Sequence, residues 1–189
     1  CLTASLLIGK DINKVTKEER QAAKAVNFGL LYAMGARGLQ LYAQNSYGVE
    51  MTNQQAVDFR QRFFEVYQGI ASWQKELGTS SLKEIRTLNG RLRIWEDHPK
   101  ITELFNTPIQ GTAADIMKQA MAMSFPYLNR NNVHLIGTVH DEILLESPQE
   151  KAQEISHFLK ETMIKAGKKF IQQVPIEVDI AIAKNWSEK

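Results

Sequence analysis

Apolar positions recur along this chain at two periods, and the changes of period divide it into elements. Thr16-Lys17-Glu18-Glu19 reads as a capping box, with Thr16 as N-cap and Glu19 reaching back to its backbone N–H. Residues 21–25 then favour helix, and the glycines at 35 and 38 are expected to end it. A second helix is expected from an Asn53 cap, with Phe59, Phe63, Val66, Tyr67 and Ile70 spaced to face a core. Residues 81–95 read as a short ribbon turned by Asn89-Gly90. Asn106 or Thr107 before Pro108 predicts a helix start. Two short β-prone runs, 135–139 and 143–145, place His140-Asp141-Glu142 at a hairpin turn. Residues 150–172 return to helical spacing, with Ile155, Phe158, Leu159 and Met163 inward. The expectation is an α+β chain in which helices dominate, without internal repeats, low-complexity segments or linkers.

Composition narrows the class only a little. A chain of 189 residues with 43% hydrophobic content can build a core. No run approaches the roughly 20 apolar residues of a membrane span, so no membrane partner is expected. The single cysteine, Cys1, cannot form an intrachain disulfide, and no signal peptide is visible; both suit a cytoplasmic setting. The net charge of +2 is unevenly spread. Lys and Arg outnumber Asp and Glu in residues 1–100, and the reverse holds in 101–189. That polarity suits a polyanion bound beside a cation site.

Arg20, Lys24, Phe28 and Tyr32 recur at every fourth position. On a helix they form one drifting stripe, cations first and aromatic rings last, over roughly 18 Å of axis. A nucleoside triphosphate asks for that order, with cations for phosphates and flat rings for sugar and base. A plain packing stripe explains the spacing equally well. Gly29, inside the helix, either lets a base approach or serves packing. Gly111, Ala113 and Ala114 thin one face of a helix that also carries amides, which suits a minor groove as well as a tight core. Asp141 and Glu142 are adjacent carboxylates that either share a cation or form a solvated acidic turn. Oxygen donors would favour Mg²⁺ over zinc, and His98, His134 and His157 show no ligand spacing around them.

Together these segments resemble the family A DNA polymerases, the bacterial DNA polymerase I group. The fingers-helix pattern R-x3-K-x3-F-G-x2-Y-G is matched by Arg20, Lys24, Phe28, Gly29 and Tyr32, with Ala33 in place of the last glycine. The segment N-x-P-x-Q-G-T-A-A-D is matched from Asn106 to Asp115, and V-H-D-E from Val139 to Glu142. Leu88-Asn89-Gly90-Arg91 fits a T-L-x-G-R turn, residues 92–104 are shorter than usual, and Thr102 stands where many members carry arginine. Residues 174–180 and Asn185-Trp186 are similar to the last palm strand and C-terminus.

The resemblance implies a fragment of the right-hand polymerase fold, with a mostly helical fingers portion in residues 1–90 and part of an antiparallel-sheet palm in 91–189. It implies that Arg20 and Lys24 hold the triphosphate of a dNTP, that Lys24 is general acid toward pyrophosphate, that Phe28 lies by the sugar and that Tyr32 stacks near the templating base. Asn106, Gln110 and His140 would contact primer–template DNA, with Arg91 supplying further duplex contacts. Asp141 would bind catalytic metal with Glu142 beside it, in a site that holds two Mg²⁺ ions in the complete enzyme. The family's first metal-binding aspartate, in a D-Y-S-Q-type strand, has no counterpart among the 189 residues. An upstream segment carrying that aspartate and the thumb is therefore an expected partner, and the chain alone is expected to be inactive. The implied function is template-directed DNA synthesis by the two-metal route, in a bacterial cytoplasm near the nucleoid. The alternative is a DNA- and nucleotide-binding module without chemistry, or one half of a split polymerase; Cys1 is compatible with an intein junction and equally with a gene break.

Overall fold

Two reciprocal capping boxes set the helical frame of the first part of the chain. In the computed structural model, which describes residues 2–188, Thr16 accepts the Glu19 N–H while the Glu19 carboxylate accepts the Thr16 N–H. Helix α2 (Lys17–Leu31) starts there as expected. Helix α1 (Leu2–Ile8) precedes it, and α3 (Ala36–Tyr47), α4 (Asn53–Val66) and α5 (Gln68–Gly78) follow. Cys1 lies outside the described residues.

Two sequence expectations need correction here. The cap of α4 is Thr52, paired with Gln55 in a second capping box, and Asn53 is the first helical residue. Gly35 does separate α2 from α3, but Gly38 lies inside α3, where Leu39 and Ala43 are buried. Gly29 serves packing: a β-carbon there would stand 3.1 Å from Leu39 Cδ1 and 3.2 Å from Met34 Sδ. Leu7, Val26, Leu30, Leu39 and Phe63 form the centre of this core, with Phe59, Tyr67 and Ile70 packed at its edge.

The ribbon appears where Asn89-Gly90 predicts it. Strand β1 (Glu84–Arg86) pairs with β2 (Leu92–Ile94), and Gly90 turns with a φ of 81°. Helix α6 (Ile101–Arg130) starts five residues before the expected boundary and runs through Pro108 and Pro126. Glu103 accepts the Lys100 N–H at 3.2 Å, which opens the helix, and buried Leu104 and Phe105 anchor it before the proline. That packing carries the helix across a position that costs about 3 kcal/mol in an isolated one.

Strands β3 (His134–Val139) and β4 (Glu142–Glu146) form the expected hairpin, with a bulge between Leu135 and Gly137. Helix α7 (Ala152–Lys168) then buries Ile155 against Leu128 and Val133. Residues 176–180, expected as a strand, are not one. They have no ladder partner among the described residues, although Ile176 packs on the bare face of Gly167.

The class is α+β, helices dominant, with two small antiparallel sheets. The chain divides into two compact units interleaved in sequence, residues 1–85 with 93–106 and residues 86–92 with 107–189. The expected boundary after residue 90 falls inside the short excursion 86–92.

Candidate nucleotide and nucleic-acid site

In the first unit, α2 has one face locked into the core and one left outside. Ala23, Ala25, Val26, Gly29 and Leu30 are buried, whereas Arg20, Lys24 and Phe28 are not. The Phe28 ring is 50% exposed, so this stripe is not part of the core. Tyr32 is half-buried and forms the C-cap of α2 rather than its last turn. The following residue, Ala33, has a φ of 66°, in the left-handed region where the family pattern carries glycine.

The local ion pairs bypass the two cations of the stripe. Glu19, next to Arg20 in sequence, is held by Lys10 Nζ at 2.9 and 3.1 Å and by the Thr16 N–H. Those contacts, the Lys10 hydrogen bond first, hold its carboxyl below the usual range. Neither Arg20 nor Lys24 enters a side-chain hydrogen bond or ion pair among the described residues. The far end of the helix is fixed by Gln74, whose Nε2 donates to Leu30 O at 2.7 Å and Leu31 O at 3.0 Å. Sequence reading missed Gln74 because a cap arriving from more than forty residues away has no local signature. Asn106 also belongs to this unit and is half-buried.

In the second unit, Gln110, Ala113 and Ala114 are exposed along α6, so the thin face is real and faces outward. Gly111 is not part of it. A β-carbon there would stand 2.6 Å from Thr87 Cγ2, so the glycine admits the 87–91 turn instead. Arg91 Nε donates to Asp115 Oδ1 at 2.8 Å, and its Nη2 donates to Gly111 O at 2.9 Å. Thr87 Oγ1 donates to Asp115 Oδ2 at 2.6 Å, and the Leu88 N–H reaches Thr112 Oγ1 at 3.0 Å. Burial pushes the Asp115 carboxyl up, but the Thr87 and Arg91 hydrogen bonds and the Arg91 and Lys118 charges outweigh it and hold it below the usual range. The structure thus gives Arg91 a partner that the sequence did not announce.

At the hairpin, Val139 pairs with Glu142, so the turn consists of His140 and Asp141 alone. His140 takes a φ of 54°, and both turn side chains are exposed. Glu142 opens β4 and is half-buried. Among the described residues no group of three or more His, Cys, Asp or Glu could hold a metal ion, so Asp141 and Glu142 supply at most part of a coordination shell.

These arrangements carry the residues of a known family in its order. A sequence model of DNA polymerase family A matches residues 1–188. The chain belongs to DNA polymerase family A. DNA polymerase I of Aquifex aeolicus is 38% identical over 190 residues, covering 98% of this chain and 33% of that protein. The thermostable DNA polymerase I of Thermus thermophilus is 35% identical over 195 residues, covering 97% of this chain and 22% of that protein. The POL domain of Pol1 from M. smegmatis, solved with DNA primer-template and dNTP, superposes with a TM-score of 0.73 at 25% identity. That match covers 87% of this chain and 30% of the other. The chain therefore spans a third or less of these family A proteins. No helix among its described residues is long and apolar enough to cross a membrane.

Proposed function

We propose that this chain is the nucleotide-binding end, and part of the catalytic end, of a DNA-directed DNA polymerase that moves a nucleotidyl group from a dNTP to a primer 3′-hydroxyl. One observation supports this best: Arg20 and Lys24, unpaired among the described residues, lie on the outer face of a helix pinned at both ends, with the exposed Phe28 ring one turn further on. Two such cations one turn apart on a rigid element form a preorganised phosphate clamp. Lys24 would also protonate the departing pyrophosphate, Phe28 would flank the sugar, and Tyr32 would stack beside the templating base. Asn106, Gln110, Arg91 and His140 would contact primer–template DNA.

Asp141 and Glu142 offer only oxygen donors, with Asp141 exposed at a tight turn, and such a set suits Mg²⁺. When bound, two Mg²⁺ ions would supply electrostatic stabilisation of the phosphate charge and lower the pKa of the primer hydroxyl. This chain's own part is to present Asp141 from the two-residue turn and Glu142 from the first position of β4; the remaining ligands would come from water, phosphates and a carboxylate on an upstream segment, which would also bring the thumb. The setting would be the bacterial cytoplasm, close to the nucleoid.

The test is Lys24→Ala in the complete polymerase. Losing one charge-assisted phosphate contact costs about 1.5–3 kcal/mol, and lost acid catalysis adds to it. Nucleotide kcat/KM should therefore fall by at least roughly tenfold while DNA affinity stays put. Equal losses for nucleotide and DNA would count against the assignment. A second reading, a half of a split polymerase that binds without chemistry alone, is favoured by the incomplete metal shell among the described residues.

A further inference from the structure

The last turn of α2 is held by more than its own exit. Met34 N–H turns back to Gly29 O at 3.0 Å and Ala33 N–H to Leu30 O at 3.2 Å, which together make a Schellman motif. Met34 also packs on the bare face of Gly29. The left-handed position of such a motif is usually a glycine, and here it is Ala33, with a φ of 66°. A turn strained at its pivot is a weak anchor for the residue before it, the C-cap Tyr32.

Gln74 supplies a second anchor. From α5 its amide reaches Leu30 O and Leu31 O together, the two carbonyls directly before Tyr32. A helix leaves its last carbonyls without intrahelical donors, and the exit turn of α2 spends its own N–H groups on Gly29 O and Leu30 O. The donor for Leu31 O comes from 43 residues away. Ordering a long amide in this way costs rotamer freedom, so the grip has to return something. The rest of α2 does not need it. Ala25, Val26 and Leu30 are fully buried in one core with Leu39 and Phe63, and the Thr16 box and Lys10–Glu19 pair hold the first turn. What Gln74 adds is local to the turn that carries Tyr32.

We propose that Gln74 is a positioning residue for Tyr32: by holding Leu30 O and Leu31 O it confines the last turn of α2, keeps the Tyr32 ring at one place beside the templating base, and so sets how strictly a mismatched dNTP is refused. This rests on the DNA-polymerase reading above. Gln74 itself, on α5, touches neither dNTP nor DNA. Lys24 and Arg20 lie roughly two and three turns back from Leu31, on the part of α2 that the core and the first-turn ties hold, so triphosphate binding does not depend on Gln74.

The experiment uses the complete polymerase and compares wild type, Gln74→Met, Gln74→Glu, Tyr32→Ala and the double variant Gln74→Met with Tyr32→Ala. Each is assayed for kcat/KM with the correct and with a mismatched dNTP opposite one template base, for KM for DNA and for melting temperature. Methionine and glutamate keep the length of the side chain and remove its donors. Gln74→Met should lower discrimination about fivefold, the size of one neutral hydrogen bond, with KM for the correct dNTP and for DNA within about twofold of wild type. Gln74→Glu should do the same even if Gln74→Met folds poorly. Discrimination is a ratio of two rates of one enzyme, so a loss of folded molecules cancels out of it. In the Tyr32→Ala background, Gln74→Met should change discrimination by less than about twofold. Unchanged discrimination in both Gln74→Met and Gln74→Glu, whatever their melting temperatures, would overturn the proposal. So would an equal loss with and without the Tyr32 ring, because Gln74 would then act elsewhere. Failure of the underlying reading looks different: Lys24→Ala would then leave nucleotide use intact.

Discussion

Ala33 sits at the end of α2 with a φ of 66°, a conformation that costs an L-residue about 1–2 kcal/mol. Ala33→Gly removes that cost but adds unfolded-state entropy of about 0.4–1 kcal/mol. A net gain of about 0.5–1 kcal/mol is expected in urea unfolding, and a loss would mean the alanine methyl packs. Gly111→Ala should act the other way. Its β-carbon meets Thr87, a short buried side chain whose hydroxyl is locked to Asp115, so no flexible neighbour can yield. The overpacking should outweigh better helix propensity and cost about 1–3 kcal/mol by the same measurement. Phe28 is half exposed, so Phe28→Tyr should leave stability within about 0.5 kcal/mol. The new hydroxyl can stand in for the missing 3′-hydroxyl of a chain terminator, so dideoxynucleotides should compete much better in the complete enzyme. Unchanged discrimination would place Phe28 away from the sugar.

At the scale of elements, the clasp between the 87–91 turn and α6 makes stability depend on acid. The Asp115 carboxyl is depressed in the folded state, so the stability it contributes is complete above its unfolded value, near 3.9, and is lost as pH falls through the folded value. Urea midpoints of the wild type should therefore drop below about pH 4, and Asp115→Asn should flatten that part of the profile. An identical profile in the variant would assign the acid sensitivity to other carboxylates. The same clasp explains what the sequence could and could not tell. The Asn89-Gly90 turn, the capping box at Thr16 and the two-run hairpin are written in neighbouring residues and are legible. Thr52 displaced Asn53 as cap because Gln55, three positions on, completes its box, a cue that a single cap residue hides. The start of α6 was obscured because Pro108 imitates a first-turn proline, while burial of Leu104 and Phe105 decided the true boundary. Asp115 with Arg91 and Gln74 with Leu30 join residues far apart in the chain, so only the folded arrangement reveals them. The cation and aromatic stripe was readable as spacing, but only the burial of the opposite face decides that it points outward.

For the whole molecule, the expected behaviour follows from the shortage of metal ligands. With no third His, Cys, Asp or Glu beside Asp141 and Glu142 among the described residues, Mg²⁺ binding by the 189-residue chain should be weak. Purified and freed of host polymerase, it should bind DNA weakly with strong salt dependence and fail to extend a primer. Adding an upstream polypeptide with a further carboxylate should restore synthesis, and Asp141→Ala should abolish it again. Robust extension by this chain alone would sink the proposal.

The tight turn that presents Asp141 has a bearing on how sequence variation at position 140 is interpreted. With only two residues between Val139 and Glu142 and a φ of 54°, position 140 disfavours any β-branched side chain whatever its chemistry. A histidine retained there would look functional even if its imidazole did nothing, because torsion alone narrows the choice to a few residue types. Asn, which tolerates the same torsion, separates the two demands: His140→Asn keeps the hairpin and removes only the ring, whereas His140→Val tests the backbone.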